Sequence, residues 1–182
     1  MSGELIHHID LFIRINQLTI IFSFSGDILL SQAPVIFELN LKTTDMISQL
    51  THLNWIGILL AFVAYSILGA LWFTVFFAKS YRISLGRENE ILPNQPIFIV
   101  GPMLCTLVIT ITTAVLMYAL NVTTISAAVE FALLTSLGLL VANTVNIAIN
   151  PNIPRPILYG IISGVYHILG MLIASCILVL MK

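Results

Sequence analysis

Four stretches of this chain carry no charged side chain: residues 53–78, 91–129, 131–154 and 156–181. Each exceeds the roughly 20 apolar residues that an α-helix needs to cross hydrocarbon. In lipid every backbone N–H and C=O must be paired within the protein, so only helices and closed barrels can span. Barrel strands alternate apolar and polar residues over about ten positions, whereas these stretches are apolar on every side. The pattern predicts an all-α protein, an integral membrane four-helix bundle with a short N-terminal extension. The spans are expected over residues 55–77, 96–120, 126–148 and 156–181.

Turn chemistry sets the breaks. Leu92-Pro93-Asn94-Gln95-Pro96 ends a polar loop and starts the second span, with Pro96 near the first turn. Asn121-Val122-Thr123-Thr124 separates the second and third spans, with Ser126 as the expected N-cap. Asn150-Pro151-Asn152-Ile153-Pro154-Arg155-Pro156 cannot continue a helix. Composition narrows the function classes. Charged residues make up 8% of the chain, against roughly 25% in soluble domains. Seven basic residues cannot build a phosphate-tracking surface, so nucleic acid is excluded as a partner and the lipid bilayer is the expected one. Two cysteines make no disulfide scaffold.

Orientation follows from lysine and arginine. Lys79, Arg82 and Arg87 lie after the first span and Arg155 after the third, while Lys182 stands alone at the other side. The positive-inside rule places loops 79–95 and 149–155 in the cytoplasm and the C-terminus outside, in a plasma (cytoplasmic) membrane. Trp72 and Tyr81 flank the boundary and fit interface anchors beside anionic headgroups.

Residues 1–45 differ. They hold Glu4, Asp10, Arg14, Asp27, Glu38, Lys42 and Asp45, nearly half of the formal charge. The apolar stretch 11–30 includes Arg14 and Asp27, and a charge at a span's centre costs about 2.5–3.5 kcal/mol on insertion scales. This segment is expected to be interfacial or disordered, or to be an extension upstream of a start at Met46. Residues 46–182 form the expected transmembrane domain.

Small residues mark the packing faces. Gly57, Ala61, Tyr65 and Gly69 follow one another at four-residue spacing, and Gly160 and Gly164 form a GxxxG in the last span. Helices in lipid associate through such faces, for packing within the chain or for dimerisation. Tyr65-Ser66-Ile67-Leu68-Gly69-Ala70-Leu71 echoes Tyr166-His167-Ile168-Leu169-Gly170-Met171-Leu172, identical at five of seven positions. Helices one and three do not match as a duplication would require, so the echo reads as one packing solution used twice: a tyrosine followed, one turn on, by a glycine that leaves room for a neighbour.

Polar residues inside spans are the candidates for function. His167 lies near the middle of the fourth span and serves either as a hydrogen-bond partner or in a polar site. Glu130 is the one carboxylate within a span, near the start of the third. It reads as an interfacial charge favoured at a helix N-terminus, or as part of a proton or cation relay. Asn143, Asn146 and Asn150 form an amide stripe on the third span, and Thr106, Thr110 and Thr113 a hydroxyl stripe on the second. Such stripes glue helices or line a narrow wet path. No metal-ligand spacing is present and no catalytic motif of the GxSxG, HExxH, P-loop or GxGxxG type, so neither enzyme activity nor a cofactor is expected.

The helix ends carry a resemblance. Asn54-Trp55, Leu68-Gly69-Ala70-Leu71-Trp72-Phe73, Phe77-Ala78-Lys79 with Gly86, then Arg155, Gly164-Val165-Tyr166-His167 and Gly170 resemble the bacterial "domain of unknown function 1761" membrane family over about residues 54–182. The chain departs at Phe73, where the family often has Tyr, at Tyr81, where it often has Trp after the loop lysine, and before Arg155, where an acidic residue is usual. The resemblance implies a four-span membrane protein and supplies no activity.

Two functions are favoured by these residues over a third, an intramembrane enzyme. One is a structural or accessory membrane component. The alternative is a small-solute or ion permease, working as an oligomer, with a homo-oligomer or another membrane protein as the further partner in either case. Transport requires Tyr65, Tyr166, Thr110, Asn143, Asn146 and His167 to converge on one cavity with Glu130 at its mouth. A scaffold requires the same groups to be paired within the bundle.

Overall fold

The uncharged stretches become helices because nothing in lipid competes for their backbone hydrogen bonds. The computed structural model describes residues 48–90 and 95–182; the expectations for residues 1–45 and for Leu92-Pro93-Asn94 fall outside them. A 3₁₀ turn, Ser48–Thr51, precedes helix α1 (Trp55–Leu71), which passes into a π-helical turn, Trp72–Phe76. A short helix α2 (Ala78–Ser84) comes next. The second span is α3 (Ile97–Ala119). The third is α4 (Ile125–Thr135), a π-helical turn over Ser136–Val141, and α5 (Ala142–Ala148). The fourth is α6 (Pro156–Leu180). The described residues contain no strand, and four helical stretches of 22 to 25 residues are long and apolar enough to span. At ~1.5 Å per residue the shortest is about 33 Å long, which covers a hydrocarbon core of about 30 Å. The protein is a helical membrane bundle.

Capping residues fix the ends. The Asn54 carboxamide accepts from the backbone N–H groups of Ile56 and Gly57, both at 3.1 Å, and its Nδ2 donates to the Met181 carbonyl at 2.6 Å. One side chain therefore starts the first span and ties it to the end of the last. The third span is capped two residues earlier than expected. The hydroxyl of Thr124, not Ser126, accepts from Ala127 N at 3.2 Å, because Thr124 keeps the extended backbone that a cap needs. Pro156 occupies the first turn of α6, where its missing N–H is harmless.

Helix α6 lies at the centre, packed against the first and second spans and against all three segments of the third. Its contact with the first span is antiparallel: Met181 meets Asn54, Gly170 meets Tyr65, Tyr166 meets Gly69 and Ile162 meets Trp72. Small residues permit the approach. Ala61, Ala114, Ala128, Ala132 and Ala174 are fully buried, and Cβ atoms added at Gly160 and Gly164 would each stand 3.2 Å from a valine methyl of the third span, Val145 and Val141 respectively. The GxxxG of the last span thus serves packing within the chain. The larger core side chains, Tyr65, Met117, Phe131, Met171 and Leu178, gather toward the Lys182 end. Toward the other end the opening turns of α3 stand clear of the bundle, with Ile97, Phe98, Ile99, Val100, Met103 and Leu104 all exposed.

The two basic loops meet at one end. Arg155 N donates to the Ser84 carbonyl at 3.3 Å, and the Arg155 guanidinium pairs with Glu88 at 3.3 Å. Gly86 makes the turn between them with a left-handed φ of 69°, and a Cβ there would come within 3.0 Å of the Pro154 ring. Gly86→Ala is therefore expected to cost about 1–2 kcal/mol, read as a lowered thermal midpoint in detergent, with Gly86→Asn less damaging. At the opposite end the Lys182 ammonium donates to the carbonyls of Val122 at 3.1 Å and Met117 at 3.4 Å, and sits 4.7 Å from the centre of the Tyr118 ring.

Candidate functional site

The repeated Tyr-x-x-x-Gly segment builds the polar centre of the bundle. On two antiparallel helices the repeats interlock about a local two-fold axis. Tyr65 of the first span lies over Gly170 of the last, and Tyr166 lies over Gly69. A Cβ on Gly69 would be 2.9 Å from the Tyr166 hydroxyl, and one on Gly170 would fall inside the Tyr65 ring. The rings of Tyr65 and Tyr166 pack at 5.3 Å with their planes tilted by 52°, and Phe73 meets Tyr166 edge-on at 5.1 Å. The echo in sequence is thus one contact seen from both helices.

This interlock places the Tyr65 hydroxyl 3.0 Å from His167 Nδ1. When the phenol donates, the imidazole carries its proton on Nε2. On the second span Thr110 donates to the Thr106 carbonyl at 2.8 Å and Thr106 to the Pro102 carbonyl at 2.9 Å, while Thr113 points at the Met171 sulfur at 3.7 Å. The hydroxyl stripe faces inward: its hydroxyls donate to the carbonyls of their own helix or to a sulfur, and Thr106 also hydrogen-bonds Tyr166 of the last span. Among the described residues the buried side-chain oxygens with no partner are those of Ser66 and Ser175.

The other expected site residues lie elsewhere. Glu130, Asn143 and Asn146 are exposed on the third span. Asn150 forms a local turn, donating to the Ile147 carbonyl at 2.6 Å and accepting from Asn152 N at 2.7 Å. Tyr65, Tyr166 and His167 therefore come together between the first and last spans, Tyr65 buried and the other two partly buried, with Thr110 buried on the second span, while the amides and the carboxylate are exposed. Among the described residues the amide stripe makes no hydrogen bond between helices. No cluster of three metal-ligating side chains occurs among the described residues.

Trp72 also departs from expectation. It is buried, and its indole N–H donates to the Ile162 carbonyl at 3.0 Å. Its spacing of seven residues from Tyr65 puts it on the same helical face, a signal that outweighs its position near the boundary. Tyr81 is half-buried, edge-on to Phe73 at 4.8 Å and beside Tyr159 at 5.7 Å. With Phe73, Thr74, Arg82, Glu88 and Glu90 it lines an open cleft of about 510 Å³ at the basic-loop end. Burial, reinforced by Tyr159, pushes the Tyr81 phenol from 10.0 up to about 12. The folded state then holds this proton more tightly than the unfolded chain. The stabilisation is complete below pH 10.0 and is lost as pH rises through about 12. Tyr81→Phe is expected to flatten the fall of the thermal midpoint across that alkaline window.

The fold and the interlock define a four-span helical membrane bundle whose first and last helices exchange tyrosines into each other's glycine notches. The chain belongs to the family described as protein of unknown function (DUF1761), whose model matches residues 56–179. No curated protein and no solved structure matches the chain.

Proposed function

We propose that this protein is a structural or accessory component of the plasma (cytoplasmic) membrane, without catalytic activity, with loops 79–95 and 149–155 in the cytoplasm and Lys182 outside. The observation that carries this reading is the packing at mid-span. Tyr65 and His167 are bonded to each other, and the Tyr65 ring occupies the space that a Gly170 side chain would need. A solute path requires polar groups facing an opening. Here the candidate groups either pair inside the bundle or, as with Glu130, Asn143 and Asn146, stand on its outer surface. The orientation rests on the gathering of Lys79, Arg82, Arg87 and Arg155 at one end.

The test is flux in proteoliposomes across inorganic cations, protons, amino acids and sugars. The expected result is no flux above protein-free vesicles. Flux that is abolished in His167→Ala, with the variant still folded, would replace this reading with a permease.

A further inference from the structure

We propose that the protein forms a parallel, two-fold symmetric homodimer through the face of the third span that carries Asn143 and Asn146. The inference is independent of the accessory role. These two residues are the only carboxamides within the four spans, and both are exposed. Asn143 lies five residues inside the end of α5 at Ala148, or about 8 Å at ~1.5 Å per residue, a depth where lipid tails offer neither donor nor acceptor. Asn146 lies nearer the headgroups, two residues or about 3 Å inside that end. Exposed hydroxyls such as that of Thr74 return their hydrogen bond to a carbonyl of their own helix. The Asn143 and Asn146 amides have no such partner among the described residues, so two N–H donors and a carbonyl oxygen on each remain unmatched.

A second copy supplies what is missing. Two copies inserted in the same orientation are related by an axis normal to the membrane, so each residue meets partner residues at its own depth. Carboxamides are self-complementary, donor to acceptor in both directions, whereas a stripe of carboxylates or ammonium groups would repel its copy. The same face lets the helices come close. Gly138 and Ala142 are exposed beside the amides, and nothing stands within 4 Å of where a Gly138 Cβ would be. In lipid, close packing of small residues and interhelical amide hydrogen bonds are the forces that hold helices together.

The experiment counts subunits of the full chain in lipid vesicles by single-molecule photobleaching, over a range of protein-to-lipid ratios. Wild type is expected to be dimeric at high density. The double variant Asn143→Leu/Asn146→Leu is expected to need about tenfold higher density to dimerise, with its thermal unfolding unchanged because neither amide is bonded within the monomer. With Cys105→Ser and Cys176→Ala as background, a cysteine from Ala142→Cys is expected to cross-link copies, and one from Val108→Cys, exposed on the second span, is not. Monomers at every density would overturn the proposal. So would a double variant that dimerises as wild type does, or cross-linking through position 108 in place of 142.

Discussion

Gly170→Ala is expected to destabilise the bundle by about 3 kcal/mol, the upper end of the cost of overpacking a core. The added methyl would occupy the volume of the Tyr65 ring, and that ring is 1% exposed, hence fixed by its surroundings. Tyr65 cannot swing aside without giving up His167 and Tyr166 together. Gly69→Ala tests the mirror contact and is expected to cost less, since its methyl would meet the hydroxyl end of Tyr166 at 2.9 Å rather than a ring centre, and Tyr166 is only partly buried. Adding Tyr65→Val to Gly170→Ala should recover part of the loss, because the two changes remove one clash between them. Denaturant titration in mixed micelles measures all of these. An unchanged midpoint for Gly170→Ala would mean that the interlock does not form.

Trp72→Ala is expected to cost about 3–5 kcal/mol, the range for removing a buried aromatic side chain. The indole is buried, donates to the last span at Ile162 and packs 4.4 Å from the Phe77 ring. Trp72→Phe keeps most of that volume and loses the donor, for an expected cost of about 1 kcal/mol. The chain has two tryptophans, and Trp55 is 54% exposed. Because Trp55 is also the first residue of its span, at the headgroup boundary, an aqueous quencher should reach the fluorescence remaining in Trp72→Phe more readily than that of wild type. Equal quenching of the two would place Trp72 at the surface and contradict the contact with Ile162.

Span number and boundaries were legible because the charges at Lys79 and Arg155 and the prolines of their loops end helices. The break at Asn121 needed the turn chemistry of Asn121-Val122-Thr123-Thr124, since Glu130 lies inside the third span. The packing face of the first span was legible as well, since small residues four apart leave few alternatives. Which way the third span turns was not. In water a polar stripe marks the outside, but lipid is as apolar as a protein core, so the periodicity of Asn143 and Asn146 groups them without saying whether they face in or out. The π-helical turns at Trp72–Phe76 and Ser136–Val141 add a further ambiguity. Each shifts the helical phase by part of a turn and rotates the residues after it relative to a regular helix. Trp72 shows how a boundary aromatic has two solutions, an anchor in the headgroups or a wedge between helices, and only its seven-residue register with Tyr65 favours the wedge. The Tyr-x-x-x-Gly echo was visible as a repeat, but its meaning required knowing that its two copies run in opposite directions and meet.

The central position of α6 also sets an order for biosynthesis. A ribosome delivers the first span long before the last, so Asn54, Tyr65 and the notch at Gly69 enter the bilayer with their partners still unsynthesised. Three helices must wait side by side, held by little more than the contact between the first and second, until the helix that touches them all is released. On this geometry assembly is expected to be a late closure rather than a stepwise accretion. Point changes in the last helix should accordingly show themselves first as nascent protein sent for degradation, before any defect in the mature protein can be measured.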